Sequence, residues 1–355
     1  MSIVNFLVAL AVMYVLSTLM VRKGMKNLTC QRSFSQTEVY EGEKGELVEI
    51  VRNDGPYIIP WLRIESHISP NLRLGKQENL QVSSDTFYRS CFTLMPYQQI
   101  KRRHRVEFLR RGVYDLGNAS ISAGDLLGAT RFWKDQQLSA PLTVYPRILD
   151  AEELPYPLSN TMGELVTKNR LLQDPFLVRG IRPYQPGDLI RDIHWQATAR
   201  TDDLQVRVHE NTVCTRLLVI LNAQSSDNQW DDYIPESDMP AMEDAIRLAA
   251  SLCIHGLRGG LSTGFATNMP QQKQNESTLL LPAEGPAWEE TLLECFARLR
   301  VHCSEKFVPM LESLKLQDTD ILVLSPYDSA SIQKALESLR QQGNQVTFFS
   351  LGGDL

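Results

Sequence analysis

The stretch LLVIL, residues 217–221, decides the fold of the C-terminal part of this 355-residue chain. A continuous apolar run without polar alternation is typical of a strand that helices cover on both faces of a parallel sheet. Similar short apolar runs follow at residues 321–324 and 346–349, and the segments between them carry apolar residues at helical spacing. Strands that alternate with amphipathic helices predict a doubly wound α/β domain over residues 213–355, with ligands expected at the carboxyl ends of its strands.

The chain before this domain has a different pattern, in which short β-branched segments alternate with turn signals. Residues 34–147 contain NDG at 53–55, LGN at 116–118 and AGD at 123–125, each typical of a tight turn. Short strands with closely spaced turns predict an antiparallel β-sandwich-like domain. The whole chain is therefore predicted to be an α+β multidomain protein, with residues 148–212 between its two domains.

The N-terminus carries nineteen residues, 3–21, that include no charge. A helix of this length reaches about 28 Å, close to the thickness of the hydrocarbon core of a membrane. Arg22, Lys23 and Lys26 follow the apolar stretch, whereas a cleaved signal peptide carries its positive charges before it. The positive-inside rule predicts a single-pass transmembrane helix in the inner (cytoplasmic) membrane, with the later domains in the cytosol. A buried N-terminal helix is the alternative.

The composition argues against several classes of protein. Lys and Arg number 36 against 42 Asp and Glu, and the net charge of −6 does not suit a dedicated nucleic-acid binder. The basic stretch 101–111 is interpreted as a solvated strand face, with an anionic-lipid surface as the alternative. The six cysteines include no CxxC pair, which argues against a zinc ribbon and a disulfide framework.

Residues 180–210, GIRPYQPGDLIRDIHWQATARTDDLQVRVHE, combine arginines and acids at high density. Residues 186–187 fit a type II turn, and Asp188 is placed to cap a helical turn over 189–194. Paired arginines and carboxylates are rigid, so the segment is predicted to be an ion-paired joint, partly buried around Trp195 and Tyr184, that links domains or contacts a protein partner. The residues assigned to this joint are Arg182, Tyr184, Asp188, Arg191, His194, Trp195 and Arg200.

The same segment admits two chemical alternatives. Asp188, Asp192 and His194 would be the ligands of a divalent metal in a metal-dependent hydrolase. An arginine of the segment would instead reach the nucleotide of a partner ATPase. The sequence contains no Walker A loop, HExxH or GxGxxG motif. Its one GxSxG match, residues 260–264, follows a predicted helix and enters a predicted strand, whereas a nucleophile elbow lies between a strand and a helix. These features favour a protein that is not an enzyme and uses no cofactor.

One spacing pattern in the segment is long and specific, and comprises Gly180, Arg182, Tyr184, Pro186-Gly187-Asp188, Arg191, Ile193, His194-Trp195, Ala199-Arg200, Leu204 and Val206. In these residues the chain resembles domain-of-unknown-function family 58 (DUF58), a family of membrane-anchored bacterial and archaeal proteins. The resemblance implies a C-terminal domain similar to von Willebrand factor type A. It also implies a partner of the MoxR-type AAA+ ATPase class, and a role as a membrane-anchored cytosolic scaffold or adaptor in protein assembly or maturation.

Type A domains carry a metal-binding Asp-x-Ser-x-Ser motif after their first strand. The corresponding positions here are Asn222, Gln224 and Ser226, and the loss of the carboxylate removes the main charge that would compensate Mg²⁺. No metal is therefore expected at this degenerate motif. The acidic residues that follow, within 227–238, are interpreted as a solvated loop and as a second candidate contact with a partner.

Overall fold

The computed structural model of the chain describes residues 2–75, 80–84, 87–125, 131–171, 173–185, 188, 190–201, 203–211, 216–227, 229 and 234–352. It divides into two units, Met1–Arg147 and Ile148–Leu355.

The first unit begins with helix α1 (Ser2–Lys26). From Val4 to Lys26 the helix is long and apolar enough to cross a membrane, with a mean hydropathy of 2.2. Its side chains from Val4 to Leu16 are exposed, whereas Val21 and Met25 are buried in the core of the strands that follow. The helix therefore extends beyond the predicted span of residues 3–21, because its last turns pack against protein. The alternative of a helix buried along its length does not agree with the exposed N-terminal half.

The strands of the first unit account for the predicted β domain. Among the described residues they are β1 (Leu28–Phe34), β2 (Glu38–Tyr40), β3 (Lys44–Asn53), β4 (Ile59–His67), β5 (Leu72–Leu74), β6 (Leu80–Ser84), β7 (Phe87–Leu94), β8 (Gln99–Phe108), β9 (Gly112–Asp115), β10 (Asn118–Gly124), β11 (Arg131–Gln137) and β12 (Pro141–Tyr145). They form sheets in the orders β1-β3-β8-β5, β11-β10-β4-β7-β6 and β2-β12-β9. Their pairing is antiparallel, except that β2 runs parallel to β12.

The basic stretch of the sequence lies largely on strand β8. Its side chains alternate, so that Lys101, Arg103 and Arg105 are exposed while His104 is buried. Arg102 places its guanidinium 3.9 Å from the centre of the Phe92 ring. The exposed basic side chains are therefore those of one strand face, as strand periodicity requires.

A buried ionic cluster lies in the core of the first unit. The side chains of Arg32 and Glu49 are 0% and 1% exposed, and their Nη2 and Oε1 atoms are 2.9 Å apart. The Tyr88 hydroxyl donates to Glu49 Oε2 at 3.0 Å and lies 3.0 Å from His104 Nε2. Burial alone would raise the pKa of Glu49, but the hydrogen bond with His104 and the charge of Arg32 lower it overall.

The second unit contains the remaining elements. They are α2 (Tyr156–Leu171), β13 (Gln173–Pro183), a 3₁₀ turn (Ile190–Asp192), α3 (Trp195–Thr201), β14 (Gln205–Asn211), β15 (Arg216–Leu221), α4 (Met239–Arg258), β16 (Ser262–Pro270), β17 (Ser277–Ala283), α5 (Pro286–Arg298), α6 (Phe307–Ser313), β18 (Thr319–Ser325), α7 (Ala330–Gln341) and β19 (Gln345–Ser350). The predicted turn at 186–187 lies outside the described residues. The predicted helical turn over 189–194 is wrong in its extent, because the 3₁₀ turn ends at Asp192 and a separate helix begins at Trp195.

The central sheet of this unit has the order β17-β16-β15-β18-β19. Strands β16, β15, β18 and β19 run parallel, and β17 is an antiparallel edge strand. Residues 217–221 are fully buried on β15, so the prediction of a doubly covered strand is confirmed. Leu218 packs with α6 and α7 on one face, while Phe265 of β16 contacts Phe296 of α5.

The order of the strands reverses between β15 and β18. From β15 the chain proceeds outward to β16 and β17, and then returns to add β18 and β19 on the other side. In doubly wound sheets such a reversal leaves a crevice at the carboxyl ends of the two strands. The residues that follow β15 and β18 therefore form one of the two candidate sites.

Candidate functional site

The motif segment is built on a two-stranded antiparallel ribbon of β13 and β14. Arg182 pairs with Val206 in this ribbon, and Tyr184 N–H donates to the carbonyl of Leu204 at 2.9 Å. The chain between the strands carries the 3₁₀ turn and α3, and His194 N–H returns to the ribbon by donating to the Gln205 carbonyl at 2.7 Å. The ribbon thus holds both ends of the inserted segment.

A two-point ion pair fixes the first part of this segment. Arg182 Nη1 and Nη2 each lie 2.7 Å from one carboxylate oxygen of Asp188. Asp188 Oδ2 also accepts from the backbone N–H of Gln185 at 2.8 Å. The hydrogen bond from Arg182 lowers the pKa of Asp188, which favours the charged carboxylate. Asp188 was predicted to cap a helical turn; it binds back toward Arg182 and Gln185 instead.

His194 and Arg200 have different environments. His194 Nδ1 accepts from the backbone N–H of Ala197 at 3.1 Å, and so the side chain caps the first turn of α3. Arg200 is exposed in the last turn of α3. The side chain of Arg191 lies outside the described residues. The Arg182–Asp188 pair is therefore the part of the predicted ion-paired joint that the structure describes in full.

The apolar side chains of the segment point mostly to solvent. Ile190 is 75% exposed, Trp195 63% and Tyr184 36%. Ile193 is buried instead, and it bridges to Val206 of β14. The prediction that the joint is partly buried around Trp195 and Tyr184 is wrong, because the ribbon buries Ile193 and leaves these aromatic rings outward. The segment therefore exposes three large apolar or aromatic side chains, those of Tyr184, Ile190 and Trp195.

The proposed metal ligands of this segment are engaged in other contacts. Both carboxylate oxygens of Asp188 accept from Arg182, and His194 Nδ1 accepts from Ala197 N–H. Within the part of the chain that the structure describes, no group of three or more His, Cys, Asp and Glu side chains is placed to hold a metal ion. The geometry gives no support to a metal-dependent hydrolase centred on Asp188, Asp192 and His194.

The second candidate site lies at the carboxyl ends of β15 and β18, where buried amides form a network. Asn222 Oδ1 accepts from Gln224 N–H at 3.0 Å, and Asn222 Nδ2 donates to Ser325 Oγ at 3.0 Å. Gln224 Oε1 accepts from the N–H of Phe307, at the start of α6, at 2.6 Å. Asn268 of β16 adds a further bond, because its Oδ1 accepts from Ala223 N–H at 2.8 Å.

These donors and acceptors do not fit a magnesium ion. The oxygens of Asn222 and Gln224 are neutral and already accept backbone hydrogens, while Ser226 is exposed. Mg²⁺ is bound in proteins mainly through carboxylates and water, with near-octahedral geometry. The residues of the degenerate motif instead tie together the ends of three strands. The sequence interpretation missed Asn268 and Ser325, although each is a polar residue at the end of an apolar strand.

The acidic segment after β15 is only partly described, since Asp231 and Asp232 lie outside the described residues. Asp227 accepts from Ser331 Oγ through both oxygens, at 2.9 and 2.8 Å, and so joins this edge to the start of α7. Ser225 Oγ donates to Asp238 at 3.3 Å. Asp227 and Asp238 therefore make local contacts at the protein surface, near the carboxyl ends of β15 and β18.

Comparison with models of known protein families found a match within the second unit. Residues 180–285 match the family model described as "Protein of unknown function DUF58". The resemblance read from the motif is thus confirmed, and the DUF58 region extends from β13 through β17. It contains both the Arg182–Asp188 pair and the Asn222 network.

A curated relative shares part of the chain. The uncharacterized protein YeaD of Bacillus subtilis (strain 168) is 20% identical over 246 residues, which are 68% of this chain and 56% of YeaD. The chain thus spans about half the length of this relative.

Solved structures resemble about a third of the chain at low TM-scores. Native alpha-2-macroglobulin from Escherichia coli aligns at 10% identity with a TM-score of 0.26, over 33% of this chain and 23% of that chain. A non-cellulosomal cohesin from Archaeoglobus fulgidus aligns at 8% identity with a TM-score of 0.22, over 33% of this chain and 91% of that chain. Similarities at this level identify no function for the DUF58 region.

Proposed function

We propose that this chain is a membrane-anchored adaptor that binds a protein partner through the motif surface, defined as Tyr184, Ile190 and Trp195 around the Arg182–Asp188 pair. The partner proposed is a MoxR-type AAA+ ATPase acting in protein assembly or maturation, as the DUF58 resemblance implies. Helix α1 is the proposed anchor in the cytoplasmic membrane, and the strands of the first unit and the whole second unit are proposed to lie in the cytosol. The chain itself is proposed to carry out no reaction.

The exposure of Trp195 beside a fixed backbone is the observation that carries this proposal. A large aromatic side chain that is 63% exposed leaves apolar area in water, which is typical of a binding surface when the residues around it are also apolar. Trp, Tyr and Arg dominate the energetics of protein interfaces. The ion pair and the bond from Gln185 N–H restrain the backbone between Arg182 and Asp188, and such restraint is proposed to lower the entropic cost of binding.

The C-terminal domain is proposed to be similar to von Willebrand factor type A. Its strand order, with β15 at the centre and an antiparallel edge strand β17, supports this proposal. The Asn222 network replaces the metal-binding carboxylate, so contacts at this edge are proposed to form without a divalent ion. The acidic residues Asp227 and Asp238 near the same edge are a second candidate contact with the partner.

Recovery of partners from native membranes tests the proposal. A tagged full-length chain is solubilised in mild detergent and isolated with and without ATP, and the proteins retained are identified by mass spectrometry. If the chain is an adaptor, we expect it to retain an AAA+ ATPase in amounts that depend on the presence of ATP. Retention of no ATPase under either condition, in a preparation where the tagged chain is folded by circular dichroism, would overturn the assigned partner.

A further inference from the structure

The exposed part of α1 that the structure describes is shorter than the hydrocarbon core of a bilayer. This inference rests on the proposed function, since it takes α1 as a membrane anchor. The continuously exposed residues are the thirteen from Val4 to Leu16, which extend about 20 Å at 1.5 Å per residue. The hydrocarbon core of a bilayer is about 30 Å thick. The segment Ser17–Val21 is therefore needed to complete the span, up to the charges at Arg22 and Lys23.

That segment is attached to the β domain. Val21 is buried in a core that includes Ile59 of β4 and Ile121 of β10. Ser17 Oγ donates to Asp125 Oδ2, which follows β10, at 3.4 Å. Ser17 lies about 8 Å along the helix from the charge at Arg22. Because Ser17 is bonded to Asp125, the end of the sheet that carries Asp125 has to come close to the membrane surface.

The residues at this end of the sheet have the chemistry of a membrane interface. Gly124, next to Asp125, pairs with Trp61 on one side and with Arg131 on the other. The guanidinium groups of Arg63 and Arg131 lie 4.8 and 5.9 Å from the centre of the Trp61 ring. Trp133, two residues along β11, is 75% exposed. Tryptophan concentrates where the hydrocarbon meets the headgroups, and arginine binds phosphate.

We propose that this interfacial corner, defined as Trp61, Arg63, Arg131 and Trp133, rests in the headgroup layer of a phospholipid bilayer as a second membrane contact beside α1. Strand β11 lies at the edge of its sheet, and an edge with open backbone groups is tolerated among headgroups but not in hydrocarbon. The corner is therefore proposed to enter the bilayer no deeper than the headgroup layer. Asp125, next to Gly124, accepts from Ser17, and Glu65 pairs with Arg63 and Arg89.

Quenching of tryptophan fluorescence by brominated lipid tests the contact. The full-length chain is reconstituted into vesicles of phosphatidylcholine and phosphatidylglycerol, with and without bromine on the acyl chains near the headgroup, and flotation first separates bound from free protein. Two variants are compared with the wild type, W133F and the matched control W195F, which removes an exposed tryptophan of the second unit.

If the corner rests in the headgroup layer, we expect W133F to reduce the lipid-quenched part of the tryptophan emission by roughly half. Trp61 and Trp133 are the two indoles that the proposal places at the interface. The W195F variant is expected to leave the quenched part unchanged. If the chain floats with the vesicles but W133F quenches like the wild type, the corner contact is overturned and the anchor stands. If the chain does not float at all, the anchor and the contact are both overturned.

Discussion

Arg182 and Asp188 lie six residues apart in the chain and meet through two parallel hydrogen bonds of 2.7 Å. A planar guanidinium matches a carboxylate in this way, whereas an ammonium group does not. The pair ties residue 182 to residue 188, two positions before Ile190, and the proposed function depends on this restraint.

The geometry of this pair is the basis of the first prediction. Replacing Arg182 with Lys keeps the charge but removes one of the two hydrogen bonds, so we expect weaker retention of the ATPase with little loss of folding. The measurement is partner recovery per mole of chain, together with circular dichroism. R258K is the matched control, since Arg258 also binds its partner Glu289 through two nitrogens but lies outside the motif surface. Equal recovery with R182K and R258K would show that the pair has no part in binding.

The buried cluster around Glu49 is expected to dominate the stability of the first unit. Removing one partner of a buried ion pair costs about 3–5 kcal/mol, because the other charge remains buried. We therefore expect R32M to lower the free energy of unfolding by that order. The exposed pair Arg73–Glu107 supplies the control, since R73M is expected to cost less than about 1 kcal/mol. Similar costs for the two variants in denaturant unfolding would contradict the role assigned to the cluster.

The same cluster is expected to make the stability of the first unit fall at acidic pH. The folded pKa of Glu49 lies below its ordinary value. The stability that it contributes is therefore present above the unfolded pKa, about 4.3, and is lost as the pH falls further through the lowered folded pKa. Thermal unfolding of the wild type between pH 7 and pH 3 is expected to show this loss, and E49Q is expected to flatten it. An E49Q profile parallel to that of the wild type would disprove the assignment.

Gly264 lies where the backbone of β16 passes close to β17. A Cβ at this position would lie 2.5 Å from the carbonyl oxygen of Leu280 and 2.7 Å from Pro282 N, both backbone atoms that cannot move aside. We expect G264A to separate the edge strand and destabilise the second unit by several kcal/mol, on the order of the largest single-residue effects. The control is G163A, since a Cβ on Gly163 of α2 meets nothing within 4 Å and helix propensity favours alanine by up to about 1 kcal/mol. Urea unfolding that ranks G163A below G264A in stability would refute this account.

Because the type A metal motif is degenerate, we expect the chain not to bind divalent ions at this position. Asn222 and Gln224 use their oxygens within the protein, so titration calorimetry of the full-length chain with Mg²⁺, Mn²⁺ or Zn²⁺ is expected to give no saturable heat. The same titration tests the hydrolase alternative. Stoichiometric binding that H194A abolishes would favour an enzyme over an adaptor.

Some of the fold could be predicted because the decisive signal is local. The run at 217–221 is apolar without interruption, which is typical of a strand covered on both faces. The parallel pairing of β2 with β12 could not be predicted, since it joins residues about a hundred positions apart and leaves no mark in either segment. Helix α3 was missed because it buries no residue, so its sequence has no apolar stripe.

The candidate site was predicted in its residues but not in its orientation. Sequence proximity placed Trp195 and Tyr184 among the charges, and burial was the expected consequence. The face that a residue presents depends on the pairing of the ribbon, which buries Ile193 against Val206 and turns Trp195 outward. His194 was assigned to the joint, yet its ring caps α3, a role that is uncommon for histidine and therefore carries no recognisable signal.

Binding through Trp195 is the central claim, and one comparison tests it most directly. Full-length W195A and L281A chains, each losing one exposed apolar side chain of the second unit, are titrated with the recovered ATPase in the presence of ATP. We expect W195A to weaken the Kd at least tenfold, about 1.4 kcal/mol or more, while L281A binds like the wild type. A W195A chain that is folded and binds with the wild-type Kd would contradict the account.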